Sequence, residues 1–223
     1  MAIVQLRPGK LSESEIYRLA GGGDFATETT VTDYVSQAVK KTEFLVHGHA
    51  IFQEYPARSV DNGIAIKSSA SSIDRIPYPG TTRIFGIQAV VFFVVTIGSA
   101  LEREVDQCFL QGNPLEGLFL DAAGSVAAEA VTNQLEAAIA ADAQKRGWKS
   151  SYRVSPGYCN WKMDLQKELF QLVDGGYIGV ELSESMLMIP RKSISGAIFL
   201  GEELHPINPC EDCKRQDCED RRK

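Results

Sequence analysis

Arg153 is the residue whose type and context best suit it to binding a charged ligand. It lies three residues before a Pro-Gly pair, so the chain turns sharply just after the guanidinium. A guanidinium matches a carboxylate with two parallel hydrogen bonds, and Gly157 allows close backbone approach or a positive φ. With a carboxylate such as Glu129, this set could hold both charged ends of an amino acid. The alternative is that Arg153 pairs with a surface acid and the Pro-Gly pair forms only a turn.

Three cysteines near the end of the sequence are a second candidate for chemistry. Cys210, Cys213 and Cys218 have the spacing C-x2-C-x4-C. Two thiolates separated by two residues can chelate one metal ion, and Cys159 or His205 could complete the site. Zinc or an iron–sulfur cluster would suit these ligands, although the spacing differs from the common cluster motifs. The alternative is a charged tail with free thiols.

Both candidates depend on elements that the hydrophobic pattern predicts. Residues 89–96 form a continuous apolar run, which is typical of a strand at the centre of a sheet. Residues 115–146 contain no proline and many alanines, which predicts one long helix. Segments 185–189 and 194–200 have the spacing of a β-hairpin. We expect an α+β fold, an antiparallel β-sheet with the long helix packed across it, in residues 1–204, followed by a cysteine-rich tail at 205–223.

The predicted long helix carries one stripe of small and polar residues at helical spacing. Its members are Ala122, Ser125, Glu129, Asn133, Glu136 and Ala140. Small side chains would let another backbone or a ligand come close, whereas a stripe with two carboxylates can equally face water. The pattern alone leaves both interpretations open.

Composition narrows the classes of function. The 223 residues carry a formal net charge of -6, which argues against a protein that binds nucleic acid by neutralising phosphates. The longest apolar run is far shorter than the roughly 20 residues that span a bilayer. Arg7, Pro8 and Lys10 interrupt the apolar start before a secretory signal could form, and the five cysteines are odd in number. We therefore expect a cytoplasmic protein without nucleic-acid or membrane partners.

Four blocks of the sequence share the order and spacing of motifs in one known family. They are Val-Thr-Ile-Gly at 95–98, Ala-Ala-Glu-Ala at 127–130, Arg-Val-Ser-Pro-Gly-Tyr at 153–158, and Leu-Ser-Glu-Ser to Pro at 182–190 with Ser-Ile-Ser-Gly at 193–196. The first two resemble the strand before that family's long helix and the Ala-Glu-Ala of the helix itself. The last two resemble its Arg-x-x-Pro-Gly-Tyr and its Leu-Thr-Glu-Ser…Met-x-Pro…Ser-Val-Ser-Gly segments. The chain thus resembles the activation domain of cobalamin-dependent methionine synthase.

The resemblance implies that the chain binds S-adenosylmethionine. In that family the bound methyl donor and one electron restore methylcobalamin from its inactive cob(II) form. Carried over by motif, Arg153 would bind the ligand's carboxylate and Glu129 its charged or ribosyl side. Ser155 and Gly157 would supply backbone contacts, and Tyr158 would lie at the junction of ligand and corrin.

The resemblance also implies partners. The chain has no cobalamin-binding Asp-x-His-x-x-Gly motif, so the cobalamin would be held by a corrinoid-binding protein or a split methionine synthase. The electron would come from a donor of flavodoxin or ferredoxin type. The activity would be a methyltransferase reaction in methionine biosynthesis, carried out only together with the corrinoid partner.

The chain departs from the family pattern at three points. The first 60 residues contain no match to the family's Asp-Trp segment, and the Tyr-Tyr pair after Ser-Val-Ser-Gly is missing. Cys159-Asn160-Trp161 replaces the family's Pro-x-Cys-Pro. A second hypothesis is therefore a metal- or iron–sulfur-binding accessory module of a corrinoid system that has lost S-adenosylmethionine binding. A third is an interaction domain that binds neither ligand nor metal.

Overall fold

The computed structural model of the protein describes residues 1–21, 29–68, 73–79, 83–158 and 161–205. In this part of the chain the strands are Ala2–Leu6 (β1), Gly48–Val60 (β2), Gly63–Ile66 (β3), Arg75–Ile76 (β4), Ala89–Thr96 (β5), Lys149–Ser150 (β6), Glu181–Leu182 (β7), Met188–Ile189 (β8) and Ser193–Gly201 (β9). The α-helices are Glu13–Leu19 (α1), Thr29–Leu45 (α2), Ala100–Leu110 (α3), Pro114–Lys145 (α4) and Leu165–Leu172 (α5), and Gly175–Ile178 is a 3-10 helix.

The main sheet is antiparallel and has β5 at its centre. Its order is β4-β3-β2-β5-β9-β6, with β1 paired to β2. All eight residues of β5 are buried, because both faces of the sheet are covered. Val91 and Phe93 belong to the core beneath the long helix, whereas Val90 and Phe92 pack in the core of the opposite face. Alternation along a strand therefore produces a continuous apolar run when both faces are buried.

The long predicted helix is α4, which has 32 residues and begins with a proline. At 1.5 Å per residue it is about 48 Å long, enough to cross the whole sheet. Its buried residues pack in one core with α1, α2, α3 and one face of the sheet. Gly124 lets α3 come close, since a Cβ there would lie 2.6 Å from Leu101 Cδ2. The predicted α+β fold, with a long helix on an antiparallel sheet, is confirmed.

The hairpin predicted for residues 185–189 and 194–200 is wrong. β8 pairs with β7, and β9 lies between β5 and β6 in the main sheet. Sequence spacing identifies two neighbouring extended segments, but it does not identify their partners. None of the described helices is both long and apolar enough to span a bilayer.

Candidate functional site: an arginine–carboxylate cluster at the sheet edge

Arg153 is held against the sheet by the segment that contains it. β6 pairs with the end of β9, and further along the same segment Val154 pairs with Ala197, one residue out of the β6 register, by exchanging two hydrogen bonds at 2.9 and 2.8 Å. Val154 is buried in the core on the sheet face opposite α4. Because neighbouring residues of an extended segment point to opposite faces, Arg153 faces α4.

Gly196 explains how this segment can lie so close to β9. A Cβ at position 196 would lie 2.6 Å from the carbonyl oxygen of Val154 and 2.9 Å from Cζ of Phe93. Only a residue without a side chain fits between them. The glycine of the Ser-Ile-Ser-Gly block therefore has a structural role, which is to allow the backbone that carries Arg153 to approach.

The Arg153 guanidinium is surrounded by three residues of α4, which we call the Arg153 cluster. Nη2 donates to a carboxylate oxygen of Glu129, and Nη1 donates to Oε2 of Glu136. Nη1 also donates to Oδ1 of Asn133 at 2.6 Å. The other Glu136 oxygen, Oε1, accepts the backbone N–H of Arg153 at 3.0 Å. The two residues that the sequence paired, Glu129 and Arg153, are thus in direct contact.

The two carboxylates of the cluster differ in their exposure to solvent. The Arg153 side chain is 8% exposed and that of Glu136 is 18% exposed, whereas that of Glu129 is 55% exposed. A buried guanidinium requires a counter-charge, and Glu136 supplies one from a similarly buried position. Glu129 lies at the solvent side, where it can leave the guanidinium at little cost in desolvation.

An open groove begins at this cluster and follows α4. It has a volume of about 740 Å³, which lies within the range of about 300–1,000 Å³ usual for small-molecule sites. One wall is α4, where Ala137 and Ala140 follow the acids. The other wall is the segment from Ser150 to Arg153. The second half of the polar stripe of α4 therefore forms one wall of an open groove, in which Glu129 and Asn133 are exposed to solvent.

Ser155, Pro156, Gly157 and Tyr158 form the turn that follows Arg153. The Tyr158 N–H donates to the Ser155 carbonyl at 3.2 Å, and Gly157 has a φ of 88°. Proline at the second position and a positive-φ glycine at the third are typical of a type II turn. The Gly157 N–H donates to the Trp161 carbonyl at 2.9 Å, so a ligand contact of Gly157 would use its carbonyl oxygen. Tyr158 is exposed, and the turn lies next to the groove without lining it.

The first half of the stripe holds a second cation, which the sequence did not indicate. Lys192 Nζ contacts Oδ2 of Asp121 at 2.9 Å and donates to Oγ of Ser125 at 2.8 Å. Its backbone N–H donates to Oε1 of Glu102 at 2.7 Å.

Two of the cluster partners of Arg153, Asn133 and Glu136, are identified by the sequence only as members of a helical stripe. No local signal assigns either of them to an arginine 17 or 20 residues further on.

Cys159, Cys210, Cys213 and Cys218 all lie outside the described residues. Within the described ranges no group of three or more His, Cys, Asp or Glu side chains is arranged to hold a metal ion. The described cysteine, Cys108, is buried in the helical core, and this desolvation raises the pKa of its thiol. A metal at the cysteine tail stays a prediction.

The fold and the cluster together define a class of protein. It is an α+β domain with a ligand-sized groove between a long helix and the edge of an antiparallel sheet, and an arginine–carboxylate cluster lies at one end of the groove.

The chain belongs to the family described as "Vitamin B12 dependent methionine synthase, activation domain", whose profile matches residues 83–223, more than half of its length. Its fold is similar to a solved structure described as "Crystal Structure of the MetH Reactivation Domain bound to AdoHcy". The TM-score is 0.66 at 15% sequence identity, over 93% of this chain and 81% of that one. No curated protein sequence matches the chain. The family expected from the four sequence blocks is confirmed.

Proposed function

We propose that this chain binds S-adenosylmethionine in the groove beside Arg153 and takes part in the reductive remethylation of a cobalamin held by a partner. The observation that carries the proposal is a buried guanidinium, with an exposed and a buried carboxylate, at the end of a ligand-sized groove in a member of this family. The similar solved structure adds support, since that reactivation domain is bound to AdoHcy.

The charged end of the ligand fits the Arg153 cluster by exchange. A ligand carboxylate can take the place of Glu129 on Nη2, since Glu129 is mostly exposed and can rotate towards water. The released Glu129 carboxylate is then free to meet the ligand's ammonium or ribosyl hydroxyls. Glu136 and Asn133 stay on Nη1, so the guanidinium keeps its counter-charge throughout the exchange.

The adenosyl part of the ligand fits the rest of the groove. Beyond Glu136 the helix presents Ala137 and Ala140, whose small side chains leave room for a flat ring system. Tyr152, 44% exposed, belongs to the opposite wall. Tyr158 lies outside the groove and is 62% exposed, and its proposed role is to contact the corrin of a docked partner.

The bound S-adenosylmethionine would supply a methyl group from its sulfonium. The residues of this chain would only bind and orient it, since methyl transfer to a reduced corrin requires no general acid or base here. Holding two reactants in line removes an entropic barrier worth roughly 7–11 kcal/mol in the best cases. The proposed activity is therefore of the methyltransferase class and requires a corrinoid protein or split methionine synthase, with an electron donor of flavodoxin or ferredoxin type.

Calorimetric titration of S-adenosylmethionine tests this proposal. We expect binding to the wild-type chain and a loss of at least about tenfold in affinity for Arg153→Ala, because a charge-assisted pair with the ligand carboxylate is removed. Arg146→Ala is the matched control. Arg146 also pairs bidentately with a carboxylate, Glu54, at 2.8 and 3.0 Å, but it does not line the groove. Equal affinities of the wild-type chain and Arg153→Ala would remove the proposed site.

Remethylation of a cobalamin held by a partner is tested separately. The affinity-tagged chain, incubated with cob(II)alamin-loaded corrinoid protein, S-adenosylmethionine and a reduced flavodoxin, should produce the visible spectrum of methylcobalamin. Arg153→Ala should slow this change, whereas Arg146→Ala should leave it unaltered. No change of the spectrum with the wild-type chain would contradict the remethylation role while leaving the binding result intact.

A further inference from the structure

Glu136 contacts Arg153 in a way that differs from every other residue of the cluster. Its Oε2 accepts a bond from the guanidinium, and its Oε1 accepts the backbone N–H of the same arginine at 3.0 Å. One carboxylate therefore holds both the backbone and the side-chain end of Arg153. Because a long flexible arginine has several rotamers, fixing it at both ends selects one of them.

The two terminal nitrogens of the Arg153 guanidinium, Nη1 and Nη2, bond to different carboxylates. Nη1 is shared by Glu136 and by Asn133, at 2.6 Å from the latter. Within the described part of the chain, Nη2 bonds to Glu129 alone. A ligand carboxylate can thus reach Nη2 after the departure of a single exposed partner, while Nη1 stays anchored.

We propose that Glu136 is a positioning residue that aims the Arg153 guanidinium into the groove and keeps it there while Glu129 gives way to a ligand carboxylate. This rests on the proposed function. Glu136 lines the inner part of the groove at 18% exposure, but its role is exerted through Arg153 and not by direct contact with the reacting methyl group.

Positioning through Arg153 affects specificity. If Glu136 acts through Arg153, it matters only for ligands that carry the carboxylate that Arg153 binds. Decarboxylated S-adenosylmethionine keeps the adenosyl group, the sulfonium and the amine but lacks that carboxylate. Replacing Glu136 should therefore leave the affinity for the decarboxylated compound unchanged. The same replacement should lower the affinity for S-adenosylmethionine.

The experiment is a calorimetric titration of both compounds into the full chain and its variants. For Glu136→Ala and Glu136→Gln we expect the affinity for S-adenosylmethionine to fall by about tenfold or more, equivalent to one charge-assisted interaction. The affinity for the decarboxylated compound should stay within about twofold of wild type, on the same reasoning. Asp142→Asn, an exposed acid on the same helix that lies outside the groove lining, is the control and should change neither.

A double variant shows whether the effect runs through the arginine. In an Arg153→Ala background, Glu136→Ala should cause no further loss of affinity, since the effects of coupled residues are not additive.

Urea unfolding of each variant establishes that it is folded at the titration temperature. Glu136→Gln retains the side-chain shape if the alanine variant is unstable. An equal loss for both compounds, or additive losses in the double variant, would overturn the positioning role. Absence of binding by the wild-type chain would instead overturn the proposed function, and the positioning role with it.

Discussion

The different exposure of the two carboxylates on Arg153 makes a quantitative prediction about stability. Replacing Glu136 by Gln removes the counter-charge of a guanidinium that is 8% exposed from a position that is itself 18% exposed. Breaking a fully buried pair costs about 3–5 kcal/mol, and the remaining pairing of Arg153 with Glu129 reduces this, so we expect about 2 kcal/mol. Replacing Glu129 by Gln, at 55% exposure, should cost about 0.5 kcal/mol.

Urea and thermal unfolding monitored by circular dichroism measure both values. For a chain of this size, 1 kcal/mol corresponds to about 2–4 °C in Tm, so we expect drops of about 4–8 °C for Glu136→Gln and about 1–2 °C for Glu129→Gln. High salt should shrink the Glu129 effect more, because screening acts mainly on exposed charges. The two variants are matched, since both replace a glutamate of the same helix by glutamine. Equal losses of stability would refute the assignment of Glu129 as the exchangeable partner and Glu136 as the fixed one.

Three further predictions concern other parts of the chain. Gly196→Ala should destabilise the fold by about 2 kcal/mol or more in urea unfolding, because its Cβ would meet the Val154 carbonyl at 2.6 Å. Gly9→Ala, whose Cβ would meet nothing closer than 3.9 Å, is the control. Equal urea midpoints for the two variants would contradict the close approach of the Val154 backbone to Gly196. Hydrogen bonds to Glu104 and then Glu116 raise the pKa of Lys41 above its usual value, so its stabilisation is complete below the ordinary lysine pKa and is lost only as the pH rises through the raised value. Lys41→Met should therefore cost about 1 kcal/mol at both pH 7 and pH 9, and a cost that disappears at pH 9 would count against the ion pairs. If the cysteine tail binds a metal, protein purified without oxygen should contain zinc or iron by elemental analysis, and a variant with serine at 210, 213 and 218 should contain neither. Equal metal content in that variant would exclude the tail as the site.

The parts of the fold that the sequence predicts well are those whose signal is local. The apolar run predicts a strand at 89–96, and β5 lies at Ala89–Thr96, because a strand covered on both faces has an unbroken apolar run. The long helix is predicted at 115–146 and lies at Pro114–Lys145, since alanine content and the absence of internal proline are local properties. The partners of β8 and β9 depend on which distant strands compete for them, and no local pattern contains that information.

In the candidate site, too, local sequence patterns predict some residues, whereas other contacts depend on how distant segments pack. Arg153 and Glu129 lie in motifs shared with a family, and they are in contact. Asn133 and Glu136 share their helix face with Glu129, so their presence near any partner of Glu129 follows from helical spacing alone. That Glu136 also binds the Arg153 backbone depends on how the segment 150–154 lies on β9, and this is set by the space at Gly196. The contacts of Lys192 with Asp121 and Ser125 likewise depend on the position of β9, which begins at the next residue.

The direct pairing of Arg153 with Glu129 is compatible with the proposed exchange, in which a ligand carboxylate takes the place of Glu129. The Arg153 guanidinium, 8% exposed, already has a counter-charge in Glu136, so the departure of Glu129 would not leave an unpaired buried charge, which would cost several kcal/mol. A carboxylate that stands in for the ligand must bind well enough to satisfy the arginine and weakly enough to leave. Glu129 meets both conditions, since it bonds directly to Nη2 and is mostly in water. Under the proposed function the same exchange would leave an acid beside the ligand's ammonium, so that Glu129 would pair with the arginine before binding and with the ligand after it.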